Sequence, residues 1–413
     1  MKMSIDNFKL NLDKSKTYLL ACSFGPDSMS LFNLLLTQGF CFIVCHVNYH
    51  KRDVSNFEEE SLRNLCLKNN IPFEALDTTN LKCVGNFQSW ARDVRYKFFA
   101  ECYKKYNAQA LLVAHQEDDL IETYLMQMDR HAFVSYYGIK EVTIIDSMRV
   151  IRPLLHFSKK ELLDYDIKNN IPYSIDVSNL SDHYTRNKYR HNVIEKLIES
   201  EREEYRKLIE NKNTVLRSKI LELSRFIVDQ KYIDIESIKN LSFEDFSILV
   251  YSFMNIKGFC SSISNERMNE FYHYLNSNKS NIIVKLSNDV LYCQEYGRIY
   301  LLLPYKKYSY LIEKPGIYSF NEFDIELTND SEDRNISPDS YPLTIRNAYK
   351  NDEYKVKDYK KSVRRLFIDF KIPEHLRSAW PVIVDRNGEI IYIPRYRKEY
   401  KDTHKTKFKI KLY

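Results

Sequence analysis

Residues 17–28 read Thr-Tyr-Leu-Leu-Ala-Cys-Ser-Phe-Gly-Pro-Asp-Ser, and their order decides the fold. The apolar run 17–22 suits a strand. It enters the turn Ser23-Phe24-Gly25-Pro26-Asp27-Ser28, and a helical pattern begins at Met29. A strand, a small-residue turn and a helix in that order form a cradle for an anion. The turn aims backbone N–H groups inward, and the helix N-terminus adds partial positive charge. Asp27 and Ser28 stand at N-cap positions, and the Ser28 hydroxyl is also placed to bond a phosphate oxygen. The turn lacks the Gly-Lys-Ser/Thr of a γ-phosphate-transferring loop and the G-x-G-x-x-G of a dinucleotide binder. On these residues alone two readings stay open: a nucleotide-phosphate cradle, and a tight β–α turn capped by Asp and Ser.

Outward from this turn, short apolar runs at 41–47, 73–76 and 110–114 alternate with helical patterns at 29–37, 57–68, 88–106, 119–128 and 159–168. That alternation predicts an α/β domain with a parallel sheet and crossover helices. Ligands of such sheets bind beyond the carboxyl ends of the strands, so 23–28, 46–52 and 115–122 carry most weight. Residues 190–230 are charged and helical. Residues 231–305 form a small unit with helical patterns at 243–253 and 265–274 and strand-like runs at 281–285 and 299–303. The polar, apolar-poor stretch 326–341 reads as a linker. A last domain follows, with strands at 382–384 and 390–393 joined by the turn Asp385-Arg386-Asn387-Gly388.

The 413 residues suit two or three domains, and 44% hydrophobic with 29% charged residues is the balance of a soluble globular chain. No apolar run approaches the ~20 residues of a membrane span, and the N-terminus lacks the apolar core of a signal peptide. None of the eight cysteines forms C-x-x-C, which predicts a reduced cytoplasmic chain without a zinc or disulfide framework. The net charge of +6 is uneven. Residues 341–413 hold 19 Lys and Arg against 9 Asp and Glu, a net +10, leaving −4 on the rest. A basic, aromatic-bearing end on a neutral body suits a nucleic-acid partner gripped through phosphates; a solvated Lys-rich tail has the same composition.

After the fourth strand comes Ala114-His115-Gln116-Glu117-Asp118-Asp119-Leu120-Ile121-Glu122-Thr123. Acidic residues at a helix start complement its dipole. Asp119 and Glu122, three apart, also share a helix face. If that face meets Asp27, three carboxylates surround the phosphates of one nucleotide, an arrangement that calls for Mg²⁺ between them.

The turn resembles the S-G-G-x-D-S pyrophosphate loop of the ATP pyrophosphatase superfamily, with Phe24 where a glycine is usual. With the acidic segment, the chain resembles the tRNA(Ile)-lysidine synthetase family, Gln116 standing where a second histidine is common. Further segments agree in order: His46-Val47-Asn48 with His50, Arg52 and Glu58-Glu59; Ala91-Arg92-x-x-Arg95-Tyr96; Ile151-Arg152-Pro153-Leu154-Leu155; Asp176-x-Ser178-Asn179 through Arg186-Asn187-x-x-Arg190-His191; and Ile345-Arg346-Asn347 with Asp352, then Phe370-Lys371-Ile372-Pro373, Arg377 and Pro381. The match is good over the first ~190 residues, moderate over the last ~75 and loose between.

The resemblance implies a parallel-sheet PP-loop (Rossmann-like) catalytic domain over 1–192 and a helical linker over 193–230. It also implies a small helical or mixed tRNA-contacting middle domain over 231–325, and a small, basic α+β C-terminal tRNA-binding domain over 341–413. It implies ligation of free L-lysine to C2 of the wobble cytidine in the CAU anticodon of a minor tRNA(Ile), with ATP and Mg²⁺, in the cytoplasm; a homodimer stays open. Ser23, Phe24, Gly25, Pro26, Asp27 and Ser28 would bind ATP. Asp27, Asp119, Glu122 and Arg92 would be catalytic, the three acids also taking Mg²⁺. His50, Arg52, Arg95, Arg186, Arg190, Arg364, Arg365 and Arg377 would contact tRNA or phosphate. Phosphate contacts would come from backbone N–H groups, with the Phe24 side chain turned away and Gly25 keeping the permissive backbone position. A tRNA thiolase of the same superfamily, a small-molecule synthetase and a non-catalytic RNA-binding module are the alternatives; the missing C-x-x-C opposes the first and the basic C-terminal end opposes the second. Residue by residue, structural readings also apply: surface arginines, a buried His115, an ordinary aromatic core around Tyr96.

Overall fold

The computed structural model describes residues 4–50, 54–83, 85–131, 133–174, 185–259, 263–277, 281–286, 290–327, 336–356, 359–394 and 407–411. The chain divides into two units, Met1–Arg217 and Ser218–Tyr413. None of the described helices is long and apolar enough to cross a membrane.

The first unit is built on a six-stranded sheet. In chain order its elements are β1 (Thr17–Ala21), α1 (Pro26–Thr37), β2 (Cys41–Asn48), α2 (Ser55–Lys68), β3 (Phe73–Asp77), α3 (Phe87–Lys105), β4 (Ala110–Val113), α4 (Glu117–Asp129), β5 (Val142–Ile145), β6 (Met148–Ile151), α5 (Lys159–Lys168), α6 (Thr185–Asn192) and α7 (Glu199–Ser224), the last running on into the second unit. The strand order is β3-β2-β1-β4-β6-β5, parallel throughout except for β5 against β6. Both faces are covered, which is why the central strands are continuously apolar. Leu20, Val44 and Leu112 pack in one core with Met29, Phe32 and Leu162. Leu19, Ile43 and Leu111 pack in the other with Tyr96, Phe98 and Phe99 of α3. Helices α1 and α5 are pinned together by Ser30, whose hydroxyl donates to Asp166 at 2.6 Å.

The chain leaves β1 for β2 on one side and later returns to its other side as β4. This reversal opens a crevice beyond the carboxyl ends of β1 and β4. The expected strands and helices of this unit are present with ends shifted by a few residues. The β5–β6 hairpin is an addition that the sequence pattern did not suggest. Its turn residues Asp146 and Ser147 have φ of +49° and +65°, the backbone that two-residue hairpins usually obtain with Asn-Gly.

In the second unit, β7 (Ile227–Val228), β8 (Tyr232–Asp234), α8 (Phe243–Ile256), α9 (Asn265–Leu275), β9 (Asn281–Lys285), β10 (Leu291–Glu295) and β11 (Arg298–Leu302) form a sheet of order β7-β8-β11-β10-β9 with its helices. Its core gathers Phe246, Phe253, Met268, Phe271 and Tyr292. Then follow β12 (Ser309–Ile312), β13 (Gly316–Ser319), β14 (Phe323–Leu327), β15 (Leu343–Asn347), β16 (Glu353–Val356), β17 (Tyr359–Ser362), α10 (Val363–Asp369), α11 (Glu374–Arg377), β18 (Pro381–Val384), β19 (Ile390–Tyr392) and β20 (Lys407–Ile410). Here the expected boundary needs correction. β12 pairs with β15, and β14 with β20, across the polar stretch 326–341. The strands before that stretch therefore belong with those after it. The two parts of this unit are fastened by a buried pair: His375 Nδ1 lies 2.9 Å from Glu295 Oε2, and the His375 backbone N–H donates to Oε1 at 3.2 Å.

Candidate active site

The 23–28 turn leaves β1 with its backbone set by an unexpected residue. Phe24 has φ +63°, whereas Gly25 is extended at φ −80°, ψ 162°. The permissive position is therefore Phe24, and the expectation for Gly25 is corrected. A left-handed conformation costs an L-residue about 1–2 kcal/mol. The Phe24 ring is buried among the core residues of that face of the sheet, and burying a phenylalanine contributes roughly 1.5–3 kcal/mol. Burial wins, and the side chain is turned away from the crevice as expected. The Phe24 carbonyl is further tied by the Ser174 N–H at 2.9 Å.

The capping also differs from expectation. Gly25 is the N-cap of α1 and Pro26 its first residue, which puts Asp27 and Ser28 inside the first turn, with no side chain capping the helix. Instead, Ser28 Oγ donates to the Gly25 carbonyl at 2.9 Å and accepts the Ser23 N–H at 3.3 Å, so the hydroxyl holds the turn in shape. First-turn N–H groups left without a side-chain cap suit an anion.

A cavity of about 260 Å³ opens here, lined among others by Ser23, Asp27, Tyr49, Arg95, His115 and Asp119. Asp27 Oδ1 is buried without a hydrogen-bond partner. Burial first, and the charge of Asp119 second, push its carboxyl up to about 7, against the pull of Lys159 and Arg190. A buried acceptor with no donor is costly, and a cation there would relieve it.

The acidic run divides into two functions. Asp119 and Glu122 are bridged by Arg190 of α6, whose guanidinium lies 3.1 Å from one and 3.0 Å from the other. Glu117 and Asp118 instead meet α7: Arg202 reaches Glu117 at 3.2 Å and Asp118 at 2.6 Å, and Arg206 also pairs with Glu117. Among the described residues no three Asp, Glu, His or Cys side chains are grouped to hold a metal ion. The expected trio of Asp27, Asp119 and Glu122 is thus not assembled as a cage, since Arg190 already balances two of its members.

Other motif residues are placed as follows. His46 is buried, its Nδ1 2.9 Å from the Cys22 carbonyl, and burial pushes its pKa down; it fastens β2 to the end of β1. Asn48 donates to Asn56 and Glu59, tying β2 to α2. His50 pairs with Asp77 at 2.8 Å. Arg95 lines the cavity, whereas Arg92, named as catalytic, is exposed with its guanidinium over the Tyr96 ring at 4.7 Å. Arg364 and Arg365 are exposed on α10, and Arg377 donates to the Ile372 carbonyl. Arg52 and the side chain of Arg186 lie outside the described residues.

Arg152, just past β6, was not among the expected site residues. It is buried and donates from Nε to His115 Nδ1 at 3.0 Å. That bond makes Nδ1 an acceptor, so neutral His115 carries its proton on Nε2. Its sequence signal was its place in the segment Ile151-Arg152-Pro153-Leu154-Leu155, which carried the family resemblance without marking any one residue as part of the site.

Asp166 shares the behaviour of Asp27: burial lifts it to about 7 in spite of the Ser30 bond. Both groups are near 3.9 when unfolded. Between about pH 4 and 7 the folded chain therefore holds more protons than the unfolded one, and stability falls as pH rises through that window. The ligand-free protein is expected to melt at progressively lower temperature from pH 5 to 8. Asp27→Asn and Asp166→Asn should each flatten that slope in thermal melts, and an unchanged slope in both would count against the burial described.

Comparison with known proteins follows this geometry. A PP-loop domain model matches residues 1–197, and a TilS substrate C-terminal domain model matches residues 343–410. The tRNA(Ile)-lysidine synthase of Mesoplasma florum is 32% identical over 392 residues, covering 89% of this chain and 94% of its own. That of Mycoplasma mycoides subsp. mycoides is 32% identical over 418 residues, covering 94% and 99%. That of Staphylococcus aureus is 28% identical, covering 91% and 92%.

Proposed function

We infer that this chain, which belongs to the tRNA(Ile)-lysidine synthase family, joins free lysine to C2 of the wobble cytidine in the CAU anticodon of tRNA(Ile). It is an ATP-dependent ligase that makes lysidine on tRNA(Ile). The cytosine O2 attacks the α-phosphorus of ATP, pyrophosphate leaves, and C2 now bears an adenylate in place of a poor leaving oxygen. The neutral lysine ε-amine then attacks C2, AMP departs and the amine loses its proton.

The observation that carries the assignment of roles is the buried, partnerless Oδ1 of Asp27, a residue that lines the crevice. The uncapped first turn of α1 takes the ATP phosphates, and Asp27 is the residue fitted to hold Mg²⁺ with them, because few carboxylates plus phosphate oxygens are what this ion prefers. The ion would neutralise charge on the departing pyrophosphate. Asp119, which lines the cavity and shares Arg190 with Glu122, orients the cationic amino acid. His115, held at Nδ1 by Arg152, lines the crevice beside the reacting groups. Arg364 and Arg365, exposed on α10, grip the tRNA backbone through its phosphates.

The test is pyrophosphate release with ATP, lysine and a tRNA(Ile) transcript. Release that depends on both lysine and that tRNA is expected; release with ATP alone, or none with all three, would overturn the reading.

A further inference from the structure

We propose that Tyr49, Phe87 and Trp90 form a stacking platform for an unstacked base of the RNA loop at the mouth of the ATP crevice. The assignment rests on the lysidine-synthase reading and deepens it by naming what holds the loop. Tyr49 follows β2 directly and lines the cavity; its hydroxyl donates to the Ala91 carbonyl at 2.9 Å. Phe87 and Trp90 occupy the first turn of α3, whose N-cap Asn86 accepts from two backbone N–H groups. The three rings form a triangle, with centroids 5.8 Å apart for Tyr49–Phe87, 6.3 Å for Tyr49–Trp90 and 5.6 Å for Phe87–Trp90. Phe87 and Trp90 remain half-buried, so aromatic surface continues from the cavity wall outward through Tyr49.

Charge on the same helix selects the occupant. Arg92, Arg95 and Lys97 are exposed on the first half of α3, where Asp93 is the one acid between residues 87 and 100, and Arg95 also lines the cavity. Aromatic faces beside cations are how proteins hold single-stranded nucleic acid: the rings take a base and the guanidiniums take the backbone. Both ring types stack on a pyrimidine without reading its edge, which leaves the edge free for the chemistry inside the crevice.

The platform carries its own reporter. The chain has two tryptophans, and the other, Trp380, is fully buried with its indole N–H on the Pro394 carbonyl. Titrating the full-length protein with a synthetic anticodon stem-loop bearing C at the wobble position is expected to quench tryptophan emission saturably. The quench should vanish in Trp90→Phe and shrink with the same hairpin made abasic at that position. Trp90→Ala should weaken hairpin binding by roughly 5- to 150-fold, leave ATP affinity unchanged, and show no such penalty on the abasic hairpin; Trp90→Phe, which can still stack, should bind nearly as tightly as the parent. Emission unchanged while anisotropy of a labelled hairpin shows saturation would overturn the platform. So would an equal Trp90→Ala penalty on both hairpins, which is the mark of a merely structural triangle. In either case lysine-dependent pyrophosphate release on whole tRNA would persist; its absence would overturn the parent reading instead.

Discussion

Asp27→Asn is expected to lower the rate of lysine- and tRNA-dependent pyrophosphate release by about 10²–10³-fold, the scale lost when a preorganised electrostatic group is removed from a reacting phosphate. The change removes one negative charge with almost no change of shape, and the Ser28 bonds that shape the turn do not involve residue 27. Binding of tRNA, measured separately by filter retention, should stay within about threefold, because phosphate contacts distributed over the RNA dominate that affinity. The pH profile supplies an independent check. With the carboxyl held up to about 7, the ionised form that can take a cation accumulates only as pH rises through that value. The apparent kcat/KM for ATP should therefore climb through neutrality in the parent protein and lose that limb in the variant. A variant that turns over at the parent rate, or one that fails chiefly in tRNA affinity, would mean that Asp27 does not hold the phosphate end of the site.

Arg202→Met is expected to cost about 3–5 kcal/mol of folding stability, the scale seen when one partner is removed from a buried ion pair. Glu117 is fully buried and Asp118 nearly so, and Arg202 is the group common to both. It also donates to the Ile194 carbonyl at 3.0 Å, so one guanidinium fastens the N-terminus of α4 to the segment ahead of α7. The α4 dipole favours acids at that end, but by far less than the desolvation of two carboxylates. Arg206→Met should cost less, because Arg206 is more exposed and shares its charge with the exposed Glu199. Arg202→Lys should fall between, keeping the charge without the fork that serves two carboxylates and a carbonyl. Urea unfolding gives all three values; a loss below about 1 kcal/mol for Arg202→Met would show that water reaches these acids.

The sequence made the sheet and its crevice legible because both depend on local signals. Apolar runs such as 17–22 and 110–114 have few other uses in a chain this polar, and ligand residues follow strands by the geometry of parallel sheets. What escaped depends on partners distant in the chain. Spacing of three placed Asp119 beside Glu122, yet nothing local said that Arg190 would span them, or that Arg202 and Arg206 would take Glu117 and Asp118. The β5–β6 hairpin hid because Asp146-Ser147 adopts a turn normally advertised by glycine. The polar stretch 326–341 looked like a boundary because composition records solvent exposure, whereas the pairing of β12 with β15 is a long-range fact. The exchange of roles between Phe24 and Gly25 has the same origin: glycine marks where a left-handed backbone is easy, and only the surrounding core shows where one is imposed.

The buried ring of Phe24 makes the history of this loop hard to reverse. Restoring a glycine would relieve about 1 kcal/mol of backbone strain but would empty a phenylalanine-sized volume, at roughly 3–5 kcal/mol. A lineage that has let its core close around such a ring cannot return to the smaller residue in one step without passing through a weakened protein. Glycine becomes acceptable again only after neighbouring side chains have grown to fill the space. The substitution is thus entrenched, and the shape of the turn has become hostage to the packing of the hydrophobic layer beneath it.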